Sequence, residues 1–147
     1  MARTDDTTDL ELLAAAYHEA GHAVLHKQFG GTVEHVKLTA KGAYTRTTED
    51  APDEENPFPY LVMVMAGHAA EARFYQRNGF GSWKADSMAA AQAGGDRANF
   101  RRHSRGTGIS RGQALTEAKR LVKRHWGHIE RVAHALAAKG HLSGSQV

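Results

Sequence analysis

Residues 18–22 read His-Glu-Ala-Gly-His, an H-E-x-x-H pattern. On a helix, four residues advance the chain by about 400°, so the imidazoles of His18 and His22 project from one face a turn apart, within reach of a single ion. Glu19 lies about 100° round the axis. That is too far to join them as a ligand, but it suits a general base touching a water in the open position of a tetrahedral zinc. The chemistry implied is metal-assisted hydrolysis. With no cysteine in the chain, any metal must be held by His, Asp or Glu.

The elements that must position these residues follow from periodicity. Thr8 and Glu11 form a capping box, and Leu10, Leu13, Ala14, Tyr17, Gly21 and Val24 recur at helical spacing until Gly30 and Gly31, which predicts one amphipathic helix carrying the whole motif. Residues 32–39 and 43–48, separated by Lys41 and Gly42, read as a hairpin. Residues 49–59 hold five acidic side chains and three prolines, a composition that suits a solvated loop. Residues 60–77 are apolar on nearly all sides and predict a buried second helix, ended by Asn78 and Gly79 and packed on the first.

The stretch 86–102 is alanine-rich and helix-prone, but Gly94 and Gly95 predict a break within it. Ser110 and Gln113 open a further capped helix, expected to run unbroken through Leu121, Ile129 and Leu136 to Gly140. The expected fold class is therefore α+β, mainly helical, with a small β-sheet beside the motif helix.

At 147 residues, 41% hydrophobic and 24% charged, the chain suits one globular domain spanning 1–147. No apolar run approaches the roughly 20 residues needed to cross a bilayer, and residues 1–9 are polar and acidic. A cytoplasmic protein without a membrane partner is expected. The net charge of +3 arises mostly from residues 97–111 and 119–131. It suggests nucleic acid, but there is no aromatic interleaving to stack bases, and a solvated helix face is the better reading.

A family resemblance extends these readings. Residues 16–24 (AYHEAGHAV) resemble the peptidase domain of the FtsH-type ATP-dependent zinc metalloproteases. Residues 33–45, including Lys41, Gly42, Ala43 and Tyr44, are similar to that family's strand and glycine turn. Residues 66–75 (AGHAAEARFY) resemble its glycine-arginine-x-alanine-glutamate helix, and residues 128–144 (HIERVAHALAAKGHLSG) its closing helix and leucine-glycine tail. The likeness covers nearly the whole chain, most closely at the motif and the C-terminal end.

The resemblance implies a third zinc ligand, an aspartate opening the helix that follows the glutamate segment, and Asp86 stands at that position. Ser82, Trp83, Lys84 and Ala85 replace the family's usual glycine-alanine-serine approach. It implies for Glu71 a structural role behind the ligands; a carboxylate in so apolar a helix needs a partner, and a zinc-bound imidazole is one. His68 replaces the family's arginine and reads as a satisfied buried histidine, while His125, His128, His134 and His141 read as solvated.

The function expected is that of a zinc metallopeptidase: zinc on His18, His22 and Asp86, Glu19 as base, and an unfolded polypeptide substrate lying alongside residues 33–38. The chain has no G-x-x-x-x-G-K-[ST] loop, so a motor would have to be an ATPase acting in trans. The alternative is a catalytically idle zinc-containing module that binds or regulates another protein, against which the intact Glu19 argues. A basic nucleic-acid regulator rests on charge alone.

Overall fold

Small residues on the motif helix decide how the rest of the chain packs around it. The computed structural model describes residues 2–40, 42–48 and 51–147; Lys41 of the expected glycine turn, and Glu49 and Asp50 of the acidic stretch, lie outside them. The motif helix α1 spans Ala2–Gln28. It begins upstream of the expected cap at Thr8, because no glycine or proline precedes Thr8 to interrupt it.

Its middle turns are not amphipathic. Ala14, Ala16, Tyr17, Ala20, Ala23, Val24 and Leu25 are all buried, as are His18, Glu19 and His26, so the segment is covered on most sides. The closest approach comes from α2 (Phe58–Arg77). A Cβ on Gly21 would stand 2.6 Å from the Ala66 carbonyl oxygen and 2.7 Å from the Ala70 Cβ, so only glycine permits this crossing. The start of α2 needs no side-chain cap, because Pro59 sits in its first turn, where an amide hydrogen would have no partner anyway.

Strands β1 (Val33–Thr39) and β2 (Gly42–Thr47) form the expected antiparallel hairpin, with Val36 opposite Thr45. A third strand, β3 (His141–Ser143), is an addition to the expected sheet. It pairs with the other side of β1, Val36 facing Leu142, and gives the order β2-β1-β3. The central position of β1 corrects the expectation that a substrate lies alongside residues 33–38: both of its edges are taken, and the open edge beside α1 belongs to β2.

The alanine-rich segment divides at the glycine pair into α3 (Ser82–Ala91) and α4 (Gly94–Ser104). The Ser110 capping box is present, with Gln113 donating its amide to Ser110 Oγ and accepting from the Ser110 amide at its side chain. The long helix expected after it is two helices, α5 (Arg111–Arg124) and α6 (Trp126–Lys139), parted at His125 with φ −103° and ψ 21°. Gly140 ends α6 in the left-handed conformation at φ 74°. The protein is mainly helical with one small antiparallel sheet. Among the described residues no helix is long and apolar enough to cross a membrane.

Candidate metal centre

The i, i+4 spacing on α1 brings His18 Nε2 and His22 Nε2 to 3.3 Å from one another. The opposite nitrogen of each ring is already committed. His18 Nδ1 donates to Glu71 Oε1 at 3.0 Å, and His22 Nδ1 donates to the Met63 carbonyl oxygen at 3.0 Å, both acceptors lying on α2. These bonds assign the proton of each neutral ring to Nδ1 and leave both Nε2 lone pairs directed at one region.

A carboxylate completes that region. Asp96 Oδ2 lies 2.9 Å from His18 Nε2 and 3.0 Å from His22 Nε2. Asp96 stands in the first turn of α4, directly after the glycine pair. Two lone pairs and a carboxylate oxygen aimed at one point require a cation there, either protons or a metal ion. A tetrahedral zinc with ligands at about 2.0–2.1 Å sets neighbouring ligand atoms about 3.3 Å apart, close to the observed triangle. His18, His22 and Asp96 form a group that can hold a metal ion, and it is the one such group found among the described residues.

The backbone opposite is shaped to this group. A Cβ on Gly67 of α2 would run into both Nε2 atoms, so glycine keeps open the space the ligand nitrogens face. With protons as the only cations, burial works against the His18 imidazolium, but hydrogen bonds with Asp96 and Glu71 outweigh it and raise its pKa to about 10. His22 shifts upward too, its burial overcome by the Asp96 charge. Burial alone would raise the Asp96 carboxyl, yet the two histidines hold it well below the usual carboxylate range. Burial pushes Glu71 up, with its bond to His18 opposing.

No protein-family model matches the chain, and no match is found among curated proteins. The site must be read from its own geometry.

Of the residues singled out in the sequence, His18, Glu19, His22 and Glu71 are brought together and Asp86 is not. The expectation that Asp86 is the third ligand is corrected: Asp86 lies within α3, where Lys119 Nζ of α5 contacts both of its oxygens at 2.8 and 3.0 Å and His68 Nε2 donates to Oδ1 at 3.1 Å. Asp86 is thus held by Lys119 and His68, and it is not in the group of ligand atoms that gathers at the α1 histidines. The position that opens a helix and faces them is Asp96.

Glu19 is 8% exposed. Thr45 on β2 places its hydroxyl 2.9 Å from Glu19 Oε1 and 3.1 Å from the Glu19 carbonyl oxygen, which fixes the side chain against the sheet. Its Oε2 has no hydrogen-bond partner among the described residues. A cleft of about 500 Å³ opens here, lined by His18, His22, Asp96 and Glu19 together with Thr45 and Arg102. The site therefore joins a cation trap, a carboxylate with an uncommitted oxygen and an open space for a substrate.

Proposed function

We propose that the chain is a zinc-dependent peptidase acting on unfolded or flexible polypeptides, akin to the FtsH-type peptidase domains that its motif segment resembles. The observation that carries this reading is the convergence of His18 Nε2, His22 Nε2 and Asp96 Oδ2 beside Glu19 at the wall of an open cleft. Bound there, zinc would supply Lewis acidity, bringing the pKa of water to about 7 and polarising the scissile carbonyl.

The chain's own residues do the remaining work. Glu71 and the Met63 carbonyl hold the imidazoles in the tautomer that offers Nε2 to the ion. Glu19, with Oε1 fixed by Thr45, takes the proton of the attacking water at Oε2 and returns it to the amine as the carbon–nitrogen bond breaks. Water is thereby divided between the new carboxyl group and the new amine. The outer edge of β2 runs past Glu19 through Thr45, and an extended chain can pair with it through backbone hydrogen bonds that ignore sequence. Such a site acts on chains that arrive unfolded or are delivered by an ATPase.

The test compares wild type with Glu19→Gln on casein, with zinc present. The variant keeps fold and metal but loses cleavage by about a hundredfold or more, since the amide retains the shape of the side chain and cannot accept the proton. Equal rates would remove Glu19 from the mechanism. Zinc binding without cleavage by wild type would favour a zinc-containing binding module instead.

A further inference from the structure

His18 and Glu19 also line a second and larger cavity, of about 1060 Å³. Its walls are apolar, with Leu10 from α1, Leu38 from β1, Phe80 from the α2–α3 connection and Met88 from α3. Set into those walls are three carboxylates, Glu11, Glu19 and Glu71, and among the described residues the lining contains no lysine or arginine. Glu71 is 1% exposed; Oε1 accepts from His18, while Oε2 is buried without a hydrogen-bond partner among the described residues. An unpaired buried carboxylate oxygen is costly unless a donor reaches it.

The negative charge is spread through this space. Tyr75 lines the same cavity, and burial together with the Glu71 and Glu11 charges pushes its hydroxyl up to about 12. The carboxylates do not gather into a point site for a second metal ion: among the described residues only His18, His22 and Asp96 bring three ligand atoms within 4.8 Å of one another. Diffuse negative charge behind apolar walls suits a primary ammonium on an aliphatic stem, which packs its methylenes along the walls and places its donors among the acceptors.

We propose that this cavity receives a lysine side chain of the polypeptide bound at the metal centre, so that chains with lysine beside the bond at the centre are preferred. The inference rests on reading the centre as a polypeptide-binding site. A free α-amino group offers the same ammonium, but it lacks the stem that the apolar walls would cover.

The test is fluorescence anisotropy with the purified protein, zinc added, and labelled peptides made uncleavable by ketomethylene links flanking one varied residue. Both peptide ends are blocked, and the residue is lysine, norleucine or glutamate. Lysine should bind about tenfold tighter than norleucine, the scale of a charge-assisted hydrogen bond, with glutamate weakest. Glu11→Gln should reduce the lysine advantage several-fold and leave norleucine binding in place. Norleucine binding as tightly as lysine would overturn the proposal. So would an unblocked norleucine peptide that matches blocked lysine, since the cation would then be the α-amine. Lysine-selective binding by a protein that cleaves no unfolded chain would keep this proposal and remove the peptidase; cleavage with no lysine preference would do the reverse.

Discussion

Glu71 Oε1 accepts a hydrogen bond from His18 Nδ1 at 3.0 Å, tying α2 to α1 inside the core through an imidazole of the candidate metal centre. The bond sets which nitrogen of His18 faces the centre, and its anionic acceptor strengthens the ring as a donor to an ion. Carboxylates placed behind a ligand histidine are worth about 10–100-fold in metal affinity. Glu71→Gln keeps the shape and one acceptor oxygen, so zinc affinity should fall toward the lower end of that range with the fold intact. Glu71→Ala should lose more affinity and lower the thermal midpoint as well. Competition titration against a chromophoric chelator reads both, and wild-type affinity in both variants would deny Glu71 this role.

The ligand set is tested by difference. Purified protein should bind about one zinc per chain, and His18→Ala, His22→Ala and Asp96→Ala should each abolish or severely weaken that binding. Asp86→Ala should retain it, because Asp86 is engaged by Lys119 and His68 instead. Elemental analysis after dialysis separates the two carboxylates, and retention in Asp96→Ala with loss in Asp86→Ala would reverse the assignment.

Gly67→Ala should remove metal binding with every candidate ligand residue left in the sequence, since the added methyl collides with both Nε2 atoms. Displacing packed side chains by one methyl costs about 1–3 kcal/mol in stability. Gly94→Ala is the control, because a Cβ there meets nothing within 4 Å. Calorimetric zinc titration and thermal unfolding of the two variants should diverge sharply; similar behaviour would mean that the space at Gly67 is not needed.

Asp86 carries a dependence on pH. Burial alone would raise its carboxyl, but hydrogen bonds and charge from Lys119 and His68 hold it below the ordinary value. A depressed folded pKa contributes stability that is present above the unfolded value of about 3.9 and is lost as pH falls through the folded one. Both partners are well exposed, at 37% for Asp86 and 42% for Lys119, which limits the pair to about 1 kcal/mol or less. Asp86→Asn should therefore be slightly less stable than wild type at pH 7, with the gap closing in acid. Denaturant midpoints at both pH values check this, and a gap that widens in acid would refute it.

The histidine pair is legible in the sequence because helical geometry is local: four residues fix a face whatever else the chain does. The third member of the candidate group is not, since Asp96 reaches His18 across 78 positions and His22 across 74, and only tertiary packing sets such a distance. Its surroundings do carry a signal. Gly94 and Gly95 read as a break, and an acid directly after a break is where a helix N-terminus favours negative charge. Asp86, in contrast, is the fifth residue of α3, past the turn where that argument applies. The division between α5 and α6 escapes notice because the apolar spacing continues through His125, which is neither glycine nor proline. Strand β3 is three residues long, too short to show an alternation.

The glycine pair ahead of Asp96 has a consequence for how firmness is distributed. Two of the three candidate ligands sit on a helix packed against α2 at Gly21, where an added Cβ would stand only 2.6–2.7 Å from Ala66 and Ala70. The third comes from an eleven-residue helix that begins on two glycines whose missing side chains would touch nothing. An ion bound by all three would fasten the lightly held piece to the tightly held one, as a clasp fastens a flap. Chelation should then loosen the protein unevenly: the amides of α4 should exchange with deuterium well before those in the middle of α1 and α2, which the core continues to protect.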